Sequence, residues 1–105
     1  MPYELDHATD LSVTSIDTIA PGNNVIVGMV TGRQVKVYQM LLAISPATTI
    51  IFKDGTSNLT GNINVASITL DYTGEPWFIT SASSSFDINL ATASQMSGTV
   101  HYIQD

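Results

Sequence analysis

Apolar and polar residues alternate along most of this chain with the period of two that places successive side chains on opposite faces of a strand. Leu11, Val13 and Ile16 are interleaved with Ser12, Thr14 and Ser15 until Ala20-Pro21-Gly22-Asn23-Asn24 breaks the run, which predicts a strand and a turn. Val25-Ile26-Val27-Gly28-Met29-Val30 follows, nearly all apolar. After Thr31-Gly32 comes a longer run, Val35 to Ile44, which starts with alternation and then turns apolar on both faces. Its length would also fit a helix, but the β-branched start and flanking turns favour a strand covered on both sides. Ser45-Pro46 is expected to close that strand. Thr48 to Lys53 forms the next and runs into the tight-turn signal Asp54-Gly55.

Beyond the polar loop Asn58 to Asn62, Ile63, Val65, Ile68 and Leu70 mark one or two further strands. Asp71-Tyr72-Thr73-Gly74-Glu75-Pro76 turns the chain into Trp77-Phe78-Ile79-Thr80, and Ser81 to Ser85 is a loop of small residues. Phe86, Ile88 and Leu90 alternate with Asp87 and Asn89, and Met96 to Ile103 is a last alternating strand. About eight short strands separated by turn chemistry, with no amphipathic helix, predict an all-β fold. The expected form is a single antiparallel β-sandwich, jelly-roll or immunoglobulin-like, with a barrel as the alternative. Residues 11–105 form this domain. Residues 1–10 lack apolar periodicity and read as an extended arm that a partner would order.

Composition narrows the range of partners. Charged residues make up 11% of the 105, less than half the roughly 25% of an average soluble domain. The formal charge of −6 leaves Arg33, Lys36 and Lys53 as the cations. Phosphate backbones are gripped by clusters of Lys and Arg, so neither nucleic acid nor an anionic membrane surface is an expected partner. There is no cysteine, which removes a disulfide framework, a thiolate zinc site and a cysteine nucleophile. The start of the chain lacks the basic and apolar regions of a secretory signal, and no apolar run approaches a membrane span, so a soluble product is expected.

The chemistry-bearing residues are sparse. His7 and His101 stand at opposite ends of the chain, and neither accompanies a nucleophile elbow or a phosphate-cradling loop. Asp71 and Glu75 flank a turn, where Asp71 reads as a turn cap and Glu75 as a solvated side chain rather than an acid/base pair. Asp54, Asp71 and Asp87 lack the dense spacing of a calcium loop. No catalytic residue, metal or cofactor is expected. Trp77, with Tyr72, Phe78 and Tyr102, would make an aromatic platform for a glycan if exposed, but a Trp-Phe-Ile cluster entering a strand is more often core or subunit interface. The triplet Asn58-Leu59-Thr60 has the form of a glycosylation acceptor and is given no role.

Apolar residues on both faces of Val25–Val30 and Val37–Ile44 exceed what one small sandwich has room to bury. Met29, Met40, Leu42 and Ile44 are therefore expected to form an oligomer interface. Removing several hundred Å² from water at about 25 cal/mol per Å² favours association by several kcal/mol before entropic costs.

One succession of segments also resembles a family. Val37-Tyr38-Gln39-Met40-Leu41-Leu42, Ile50-Ile51-Phe52-Lys53-Asp54-Gly55, Ile68-Thr69-Leu70-Asp71-Tyr72, Glu75-Pro76-Trp77-Phe78-Ile79-Thr80, Phe86-Asp87-Ile88-Asn89-Leu90 and Gln95 to Tyr102 together look like small β-rich structural proteins of tailed bacteriophages. The likeness spans roughly residues 35–104 and leaves the first ten residues outside it. It implies a non-enzymatic virion component, made in the host cytoplasm and placed on the outer head surface as a homotrimeric capsid decoration (cement) protein that clamps the major capsid protein. The alternative is a tail or fibre module that binds a glycan or receptor. Tyr3, Leu5 and His7 would then be the capsid-contacting residues of the arm.

Overall fold

Each predicted alternating segment contributes a strand in the computed structural model, which describes residues 11–105. The strands are β1 (Ser12–Thr18), β2 (Gly22–Val27), β3 (Val35–Asp54), β4 (Ser57–Asn58), β5 (Ile63–Leu70), β6 (Phe78–Ile79), β7 (Phe86–Leu90) and β8 (Gln95–Gln104). The expected arm, with Tyr3, Leu5 and His7, lies outside the described residues. The largest departure from expectation is β3, where two predicted strands are one strand of 20 residues that runs through Ser45-Pro46. Proline lacks an N–H for a ladder and is tolerated where pairing is interrupted. Pro46 occupies such a place. The pairing of β3 with β5 skips from Ala43↔Ser67 to Thr48↔Val65, and on the opposite edge the partner changes between Ser45↔Gln95 and Ile50↔Leu90.

β3 is the spine of the sheet. One edge pairs antiparallel with β8 over Val35–Ser45 and with β7 over Ile50–Asp54. The register advances equally on both sides across the gap, so β7 and β8 lie end to end along β3. Ala91 N–H donating to Thr49 O at 2.9 Å, and the Thr48 and Thr92 hydroxyls 2.7 Å apart, hold the interruption together. The other edge of β3 takes β6 at Lys36–Val37, β5 between Met40 and Ile50, and β4 at Lys53–Asp54. β1 pairs with β8 and β2 with β7, giving the order β1-β8-β3-β7-β2.

Twenty extended residues would span about 65 Å, yet the molecule's longest dimension is 42 Å; β3 is bent back on itself. Phe78, paired with Val37 near the start of β3, brings its ring to 4.8 Å from that of Phe52 near the end, and Phe86 joins them. The all-β, antiparallel fold is therefore present, but its strands belong to one curled sheet and not to two separately hydrogen-bonded ones. The unbroken β3 is the reason: it carries both halves.

The concave face holds the core, which includes Ile16, Met40, Leu42, Ile44, Ile50, Phe52, Phe86, Ile88, Met96 and Val100. Two bulges explain why β2 and β3 look apolar on both faces. In β3 the pairing steps from Val37↔Tyr102 to Gln39↔His101, leaving Tyr38 as an extra residue. The inward positions change from odd, Val35 and Val37, to even, Met40, Leu42 and Ile44. In β2 Ile26 is extra in the same way between Val25↔Asp87 and Val27↔Phe86.

This corrects the predicted interface. Met40, Leu42 and Ile44 retain 1%, 0% and 3% of their surface and belong to the core of a single chain. Of the four residues expected to meet a second copy, only Met29, 56% exposed, is on the surface. Phe78 is likewise a core-packing residue rather than part of an open platform.

Candidate functional site

Two concave regions collect polar side chains, one where the ends of β3 meet and one on the outer face of its first half. The first is a cleft of about 380 Å³ lined by Asp54, Gly55, Met29 and the serine-rich segment Ser81–Ser85. Several of its polar groups close the sheet, while Asp54 Oδ1 is buried without a partner among the described residues. Ser81 donates from both N–H and Oγ to Asp54 Oδ2, each at 2.8 Å, and Gly55 N–H donates to Ser85 O at 2.8 Å. The same segment reaches the start of β3 through Thr80 N–H to Val35 O, Val35 N–H to Thr80 Oγ1 and Ser83 N–H to Arg33 O, all at 2.9 Å. Burial acts to raise the Asp54 carboxyl. The hydroxyls of Ser84 and Ser81 and the Ser81 N–H outweigh it and hold the group below the ordinary aspartate range.

The second region is a hollow of about 220 Å³. Alternation puts Gln39 and Leu41 on the outer face of β3, Thr69 near the end of β5 with Asp71 just past it, and Thr99 and His101 on β8. Register then brings them together, with Gln39 opposite His101 and Leu41 opposite both Thr99 and Thr69. All six line the hollow. Among the described residues, the side chains of Gln39, Thr69, Asp71 and Thr99 make no hydrogen bond, and His101 Nδ1 is buried without a partner. The Leu41 side chain stands 56% exposed beside them.

Trp77 is not itself a lining residue of this hollow but is tied to one, Asp71. Its indole Nε1–H donates to Asp71 O at 2.8 Å, and its backbone N–H donates to Val37 O at 2.7 Å. The side chain is 47% exposed, so of the two settings expected for it, core or subunit interface, the core is set aside and the indole is pinned and half-exposed. Tyr72 packs its ring 6.0 Å from that of Tyr38, and Tyr102 is half-buried against the core. The expected aromatic group is thus divided: Trp77 faces outward, Phe78 inward, and Tyr72 packs at a tilt against Tyr38 of β3.

The remaining acidic residues are dispersed. Asp87 is buried and accepts a hydrogen bond from Ser85 Oγ at 2.6 Å, Asp54 serves the closure, and Asp71 lies at the hollow. Among the described residues no three His, Cys, Asp or Glu side chains are placed to share a metal ion. Lys36 pairs with Asp105 at 2.9 Å, and that hydrogen bond raises the ammonium above its ordinary value.

Gln39, Thr69 and Thr99 are site residues that sequence reasoning passes over, since each is an ordinary polar residue on a strand. The only available signal is the spacing of two in Gln39/Leu41, Thr69/Asp71 and Thr99/His101, which acquires meaning once the strand order is known. Comparison with known proteins finds no matching family model, no matching curated protein and no matching solved structure.

Proposed function

We propose that the chain is a non-enzymatic structural subunit of a tailed-bacteriophage virion. In this reading it is a decoration protein on the outer head surface that contacts the major capsid protein and copies of itself, as a homotrimer. The observation that carries the reading is the exposure of Val25, Met29 and Val30 within six residues of chain at and just beyond the end of β2. Large apolar side chains clustered on a weakly charged surface favour burial against another protein. The succession of segments resembling phage structural proteins supplies the setting. The self-contact now rests on Met29 and its neighbours, because Met40, Leu42 and Ile44 are used in the core.

Heads of the encoding phage lacking the protein should bind purified chain and gain thermal stability. A Met29→Asp, Val30→Asp double variant should keep its own unfolding midpoint and bind about tenfold or more weakly, since two charges would be desolvated at the contact. Heads whose melting is unaltered by the wild-type chain would overturn the assignment; chain bound to tails alone would move it to the tail.

A further inference from the structure

The outer face of the β3, β5 and β8 half holds the 220 Å³ hollow with Trp77 beside it, and its reading is independent of the virion reading. Trp77 is anchored at two points, through its indole and its backbone, yet about half of it remains outside the core. An indole held this way presents a rigid apolar plane, and little rotamer freedom is left to lose when something stacks on it. The residue that anchors it, Asp71, also lines the 220 Å³ hollow with Gln39 and His101.

The polar groups there differ from those of the cleft at Asp54. In the cleft, the Ser81 hydroxyl and N–H engage Asp54 Oδ2, while Oδ1 is buried without a partner. In the hollow, the Asp71 carboxylate and Gln39 amide have no partner among the described residues, and His101 Nδ1 is buried unpaired. That nitrogen is closed off from solvent, so the hollow offers a ligand the Asp71 carboxylate, the Gln39 amide and the rest of the His101 ring.

We propose that this hollow binds one ring of a neutral saccharide, with an apolar C–H face of the sugar on the Trp77 indole. The hydroxyls are shared among the Asp71 carboxylate, the Gln39 amide and the His101 imidazole. The chemistry fits on three counts. Each sugar hydroxyl both donates and accepts, and a carboxylate, an amide and an imidazole offer acceptors and donors in one place. The volume lies below the roughly 300 Å³ at which pockets for drug-sized ligands begin, which suits a single ring. Neutrality follows from charge: none of Arg33, Lys36 and Lys53 lines the hollow, Asp71 does, and the chain carries −6 overall.

Trp77 is the single tryptophan, so its emission reports the site directly in the full chain. Free glucose, galactose, mannose, N-acetylglucosamine and rhamnose would be titrated, with sialic acid as the anionic control. The expected result is a saturable change in emission and protection from acrylamide quenching by at least one neutral sugar, at a millimolar Kd, and no response to sialic acid. Asp71→Asn keeps the backbone carbonyl that anchors the indole, and Gln39→Ala lies on an exposed face. Each should weaken binding about tenfold without moving the melting temperature. Trp77→Ala, read by calorimetry, should abolish it. Silence from all five neutral sugars would overturn the proposal, as would binding that Asp71→Asn and Gln39→Ala leave intact. Capture of an aromatic peptide, with no sugar response, would assign the surface to protein instead. Failure to bind phage heads would leave these results unaffected.

Discussion

The inner row of β3, Met40, Leu42 and Ile44, and its outer row, Gln39, Leu41 and Ala43, alternate residue by residue but meet opposite surroundings. Leu41 and Leu42 are adjacent and chemically identical, and one stands 56% exposed while the other is fully buried. The difference teaches that a continuous apolar run need not be buried on both faces. The extra residue Tyr38 shifts the inward phase by one position, so a single-faced strand resembles a double-faced one when read along the sequence. It also divides the labour of polar groups. Asp54 and Ser81, at the ends of the curl, bond to each other, whereas Gln39 on the outer row bonds to nothing among the described residues.

The sharpest way to break the two rows apart is at Gly98, which lies between Leu42 on β3 and Ile16 on β1. A Cβ there would run into the carbonyl of Leu41, at a φ of +155° that side chains rarely adopt. Gly98→Ala should therefore cost about 4 kcal/mol or more, read as a shift in the urea midpoint, because the β3–β8 ladder must open along both rows. A variant as stable as wild type would show that the two backbones are not in such close approach.

A smaller effect is expected at the closure. Asp54→Asn replaces charge-assisted hydrogen bonds from Ser81 with neutral ones and should cost about 1–2 kcal/mol at neutral pH. The Asp54 carboxyl is depressed in the folded chain, so its contribution is present above the ordinary aspartate pKa and is lost as pH falls through the lower folded value. The wild type should lose stability across that acidic interval, and Asp54→Asn should lack this part of the loss. Identical pH profiles would remove Asp54 from the closure.

Much of the strand set is legible in the sequence. Ile63–Leu70 and Phe86–Leu90 are strands with the boundaries their alternation marks, and the Asp54-Gly55 signal does turn β3 into β4. What could not be read is pairing. Pro46 announces a missing donor but not whether a ladder needed one, and the partner change from β8 to β7 supplies that answer only in three dimensions. The same holds for phase: Val37-Tyr38 gives no local sign that two residues will oppose one. The hollow was illegible for a related reason, since Gln39 comes from β3, His101 from β8 and Asp71 from the turn that follows β5. Trp77 stands out in the sequence as the single tryptophan, but its exposure depends on the Asp71 carbonyl, and a backbone acceptor leaves no trace in residue type.

The phase of β3 is the claim on which the interface correction and the outer recognition surface both rest. Leu41→Ala and Leu42→Ala, compared by chemical denaturation, test it most directly. Leu42→Ala should cost about 2–5 kcal/mol and Leu41→Ala no more than about 0.5 kcal/mol. Equal losses, or a larger one at Leu41, would contradict it.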